Sequence, residues 1–241
     1  MKWKRALGII PLTLFFSMLS LAGEPMQVPA ADILRQNVLG SFSYGDVSNL
    51  VFTMENLWFL VFFPLLYGMY IAGNFQCAAA YVFSRIPKRG IWYGKKAAGL
   101  LVCDVIYSGA YITILCIISV RQSTMPFDKG AFGQALWLFF FVLLWNLEIA
   151  LFVNILALRW NILAGFFVGY GCLAGLILLA IEPRAMGINR FINPILIAEF
   201  DGGMSPAVFG KLAVNLIYTA VILIAGMITV KNHDILYIEQ E

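Results

Sequence analysis

The sequence predicts an all-α integral membrane protein, and three observations predict it. Of its 241 residues 61% are hydrophobic and only 12% are charged, where a soluble domain carries about 25% charged residues. Six stretches stay apolar over the roughly 20 residues that a helix needs to cross a hydrocarbon core of about 30 Å. The Lys and Arg residues gather in the segments between those stretches. Backbone groups in lipid must bond within their own segment, so the spans are helices.

The spans run over residues 6–22, 55–75, 97–119, 134–158, 162–181 and 211–230, in one transmembrane unit covering 1–241. The first begins with Met1-Lys2-Trp3-Lys4-Arg5 and ends near Ser20-Leu21-Ala22, which has the outline of a secretory signal. Its apolar run is longer than a signal's hydrophobic region, so it is read as a retained helix. Residues 24–54 follow, where Ile33, Leu34, Val38 and Leu39 lie near helical spacing and predict a short interfacial helix. Pro11 and Pro64 each remove a hydrogen bond from a span and kink it. In the fifth span, Gly165 and Gly169 form one small-residue pair and Gly171 and Gly175 another, on different faces. Spacing leaves open whether either pair serves packing. Residues 182–210 contain the run Phe191 to Ala198, too short to span and therefore re-entrant or interfacial. Ser205-Pro206 then supplies an N-cap and a first-turn proline for the last helix.

Charge sets the expected orientation. With the N-terminus inside, the inner flanks hold Lys2, Lys4, Arg5, Arg85, Lys88, Arg89, Lys95, Lys96, Arg159 and Lys231. The outer flanks hold Arg35, Arg121, Lys129, Arg184, Arg190 and Lys211. Ten against six places both termini in the cytoplasm. The bias depends on residues 81–96, which carry five of the sixteen Lys and Arg. There Pro87 and Gly90 are expected to turn the chain. Trp92, Tyr93, Lys95 and Lys96 are expected to anchor the third helix at the interface.

Among the polar side chains inside the spans, the acids and amides Asp104, Asn146, Glu148, Asn154 and Asn215 stand out. A charge at the bilayer centre costs at least about 2.5–3.5 kcal/mol, so these groups face the bundle interior, a watery path or a partner. They are the candidate pathway residues. For Asp104 a structural hydrogen bond is the favoured reading, and for Glu148 structure and pathway stay equally open.

Several functions lack their residues. No phosphate-binding G-x-x-x-x-G-K-[ST] loop is present, nor H-E-x-x-H, nor G-x-S-x-G. His233 is the lone histidine, and the four cysteines show no C-x-x-C spacing, so no metal site, catalytic residue or cofactor is expected on this chain. No nucleic-acid partner is expected either.

The layout resembles the membrane subunit of an ABC-2 type transporter, nearest to small bacterial export permeases that give immunity to peptide antibiotics. The resemblance is carried by the kinked Phe62-Phe63-Pro64-Leu65-Leu66, by Phe83-Ser84-Arg85-Ile86-Pro87-Lys88-Arg89 with Trp92 and Lys95, and by Asn193-Pro194 before the last helix. The chain has Asn74-Phe75-Gln76-Cys77 where that family often has an acidic residue and a Gly-Thr pair. The resemblance implies a multi-pass permease of the bacterial inner or plasma membrane, working as a dimer or beside a different permease subunit. Separate cytoplasmic ATPase subunits would bind ATP and Mg and drive export of a peptide, drug or lipid-like substrate. It implies a coupling helix after the second span, with Tyr81, Val82, Phe83, Arg85, Ile86, Lys88 and Arg89 meeting the ATPase. The same basic residues suit anionic membrane lipid. Two other functions stay open: an ion-coupled transporter or channel using Glu148 and Asp104, and a non-transporting assembly partner.

Overall fold

The structure is a computed structural model and describes residues 27–39, 62–75, 89–125, 127–181 and 206–232. The first span, Tyr81 to Lys88, the run 191–198 and both termini lie outside the described residues. All regular structure among the described residues is helical. We label the helices α1 (Ala30–Leu39), α2 (62–75), α3 (Arg89–Gln122), α4 (Lys129–Arg159), α5 (Ile162–Ile181) and α6 (Pro206–Asn232). Three are long and apolar enough to cross a membrane: α3, α4 and the Phe209–Asn232 stretch of α6.

The last four helices contain the last four predicted spans. The largest difference is at α3, which begins at Arg89 rather than near Ala97 and runs for 34 residues. At about 1.5 Å per residue it is ~51 Å long, well beyond a ~30 Å hydrocarbon core. Gly90 is therefore helical and does not turn the chain. The added turns also bury Trp92 and Tyr93, correcting their expected place at the lipid interface. Trp92 stacks edge-on against Phe75, with ring centroids 5.9 Å apart. Tyr93 packs on Gly226 of α6, where a Cβ would collide with the ring and hydroxyl.

That Tyr93 hydroxyl is buried without a hydrogen-bond partner among the described residues. A buried unpaired hydroxyl costs more than it returns. Tyr93→Phe should therefore unfold at or above the wild-type temperature, a gain of up to about 1 kcal/mol. Thermal unfolding in detergent measures it, and a clear loss of stability would show that the hydroxyl has a partner.

α4 is the centre of the bundle. Its sequence is apolar all round, as expected of a helix covered on every side, and α1, α3, α5 and α6 all pack on it. Asp128 caps its start, accepting from Ala131 N at 2.8 Å. Asn161 caps α5 in the same way, accepting from Ala164 N at 2.6 Å, so α4 and α5 join by a short turn and run antiparallel. The first glycine pair of α5 makes that contact. A Cβ on Gly165 would strike the Ala157 backbone, and one on Gly169 would lie 2.6 Å from Val153 Cγ2. Gly171 and Gly175 meet nothing within 4 Å.

Among the described residues two large apolar clusters and a small one at Trp137 fill the interior. One large cluster, near the α3–α4 turn, joins Leu34 of α1 to Tyr111, Leu115, Phe141 and Trp145. The predicted interfacial helix α1 thus buries Ile33 and Leu34 against α3 and α4. It is tied there by the Ser123 hydroxyl, which donates to Val28 O at 2.7 Å. The other large cluster joins Phe63, Tyr67, Ile71 and Phe75 of α2 to Tyr93, Leu100, Ala150, Leu151 and Val230.

Candidate functional site

The buried polar side chains lie where the two apolar clusters meet along α3 and α4. Asp104, Asn146 and Asn154 are fully buried, and Glu148 and Asn215 nearly so. They do not form one site. Positions 146 and 148 differ by about 200° around α4, so their side chains leave opposite faces of that helix.

On one face, Asp104 and Asn146 meet at the α3–α4 contact. The Ser108 hydroxyl donates to Asp104 Oδ1 at 3.0 Å. Asn146 faces the same carboxyl. Asp104 Oδ2 and both polar atoms of the Asn146 amide have no hydrogen-bond partner among the described residues. On the other face, the Thr219 hydroxyl of α6 lies 3.0 Å from Glu148 Oε1 and 3.0 Å from Asn215 O. One hydroxyl proton serves two acceptors there, and both are fully satisfied when the Glu148 carboxyl carries a proton of its own. Asn215 Oδ1 is buried and unpaired among the described residues.

Asn154 is different, because all its bonding capacity is spent on backbone. Its Oδ1 accepts from Ile71 N at 2.7 Å and Ala72 N at 3.1 Å. Its Nδ2 donates to Tyr67 O at 3.0 Å and Ala150 O at 2.7 Å. In an unbroken helix Tyr67 O would accept from Ile71 N. Here α2 is interrupted at Gly68-Met69, and the Asn154 amide stands in that rung of the ladder. The expected kink at Pro64 is thus a break one turn later, held by a side chain inserted between the halves. Gly68 makes the approach possible, since a Cβ there would lie 3.1 Å from Val153 Cγ1.

At the far end of α2, Lys96 Nζ donates to Asn74 Oδ1 at 3.2 Å and lies 5.7 Å from the ring centroids of both Tyr70 and Trp92. Asn74 in turn donates to Tyr70 O at 2.6 Å. Of the basic residues expected at the interface, Lys95 is exposed and Lys96 is turned onto α2. Arg89 is the first residue of α3.

Sequence reasoning singled out the acids and amides but missed Ser108 and Thr219. The signal was present: Ser108 is four residues after Asp104, and Thr219 four after Asn215, which is one helical turn. No group of three metal-ligating side chains occurs among the described residues. These features define a membrane-embedded helical protein with two separate polar pairs and one broken helix. Comparison with protein-family models, curated proteins and solved structures gives no match.

Proposed function

We propose that the chain is the six-span permease subunit of an ATP-binding cassette exporter, with both termini cytoplasmic. It would work as a dimer, or with a different permease, alongside cytoplasmic ATPase subunits that hold ATP and Mg. The substrate class is a peptide, drug or lipid-like molecule. The sequence resemblance is the starting point. The observation that best supports it is the junction of α2 and α3. The last described turn of α2 and the first turns of α3 are held together by the Phe75–Trp92 stack and the Lys96–Asn74 bond. Residues 76–88 join those two ends and include all but one of the coupling residues. A partner pulling on that segment would act on both helices at once. α3 would carry the displacement past Asp104, and α2 would carry it toward its break at Gly68-Met69.

The separation of the acids supports this reading over an ion-coupled carrier that uses both. Asp104 and Glu148 leave α3 and α4 toward different partners, and each has a hydroxyl one turn away or across an interface. A shared relay would bring them together.

The test is association and coupling. Co-expressed with candidate ATPase subunits, the chain should co-purify with one of them. Phe83→Asp combined with Arg85→Glu should abolish co-purification while leaving the permease folded. Undiminished association in that double variant would remove the coupling assignment. Gradient-driven flux in liposomes holding this chain alone, lost in Glu148→Gln, would favour the ion-coupled alternative.

A further inference from the structure

We infer that Asp104, Ser108 and Asn146 form a site for one exchangeable monovalent cation, a proton or a sodium ion, held between α3 and α4. The inference does not depend on the exporter reading, and it excludes Glu148 from the site.

Three observations carry it. The Asp104 carboxyl is fully buried where the two apolar clusters meet, and one of its oxygens has no partner among the described residues. The fully buried Asn146 amide faces that carboxyl closely enough to act on it, yet neither its oxygen nor its nitrogen makes a well-formed hydrogen bond among the described residues. Ser108 adds a hydroxyl oxygen 3.0 Å from the other carboxyl oxygen. Unpaired polar groups at such depth are costly, and a lone carboxylate is costlier still.

Among the described side chains none is placed to neutralise it. On α3 the nearest cation is Lys96, two turns away and bonded to Asn74. On α4 the cations are Lys129 and Arg159, at its two ends. On α6 they are Lys211 and Lys231, in the first and last two turns. The other titratable groups around Asp104 are acidic or neutral: Cys103, Tyr107 and Tyr111 on α3, Tyr67 on α2 and Glu148 on the opposite face of α4. The sequence of α1 carries one acid and one base, Asp32 and Arg35. One carboxylate balances one positive charge, so the ion is monovalent. The donors are all oxygen, which suits a hard cation and not a thiophilic one. Asn146 serves either occupant. Its Oδ1 accepts the O–H of a protonated carboxyl or coordinates sodium, and its Nδ2 remains free to donate to the second carboxyl oxygen.

The experiment uses the purified full chain in lipid nanodiscs. Thermal unfolding is followed in sodium chloride and in choline chloride at equal ionic strength, from acidic to alkaline pH. The infrared band of a protonated carboxyl is recorded in parallel. A ligand bound only by the folded state raises the unfolding midpoint. For a sodium site, sodium raises the midpoint by several degrees at alkaline pH, and Asp104→Asn removes the rise. For a proton site, sodium has no effect, and a protonated-carboxyl band that Asp104→Asn deletes fades as pH rises. Glu148→Gln leaves either signature in place. If Asp104→Asn does not fold, Ser108→Ala must weaken the same signature. An unprotonated carboxylate with no sodium dependence overturns the inference. So does a band that is constant at every pH, or a sodium effect that survives Asp104→Asn.

Discussion

Asn154→Leu should destabilise the protein by roughly 3–5 kcal/mol. An ordinary hydrogen bond between membrane helices contributes only about 0.6 kcal/mol, because the separated helices find other partners. Asn154 is not ordinary in that sense. Its removal strands Ile71 N and Ala72 N at the break in α2. Each buried backbone group left without a partner costs about 1–3 kcal/mol. Leucine branches at the same atom as asparagine but offers neither donor nor acceptor. Two measurements check the result. Unfolding in detergent reports the loss of stability, and hydrogen exchange reports the amides of Ile71 and Ala72, which should open faster than those of α3. A loss below about 1 kcal/mol would mean that α2 recloses its own ladder once the amide is gone. The break would then be imposed by Asn154 rather than bridged by it.

The same position shows where one-dimensional reading stops. The spans of α3 to α6 are legible because a run of about 20 apolar residues is a local property. Pro64 is equally local, so a distortion in α2 was legible too. Its partner was not, since Asn154 bonds to Ile71 across 83 positions of sequence. Nothing in the spacing says which face of α4 turns toward α2. The burial cost of Asp104 and Glu148 marked both as inward-facing, and both are buried. That they face opposite ways around α4 follows from helical geometry only once α3 and α6 are known to pack on that helix. Trp92 and Tyr93 were misplaced for a related reason. Aromatic residues beside lysines match the composition of a membrane interface. The early start of α3 instead sets them against α2 and α6, where apolar neighbours cover them.

Gly165 carries the second large effect. Gly165→Ala should cost about 1–3 kcal/mol, whereas Gly171→Ala should change stability by no more than about 0.5 kcal/mol. The two glycines are six residues apart in one helix and share a small-residue spacing, so sequence treats them alike. Their surroundings differ. A Cβ at Gly165 would fall on the backbone nitrogen and Cα of Ala157, and backbone cannot swing aside as a side chain can. The α4–α5 hairpin would have to spread, and Gly169 would lose its contact with Val153 with it. At Gly171 a methyl group meets open space. Paired thermal unfolding of the two variants isolates the contact from the general effect of replacing glycine in a helix. Equal losses at both positions would place the hairpin contact elsewhere. A loss confined to Gly165 would locate the α4–α5 contact at the approach of Gly165 to the Ala157 backbone.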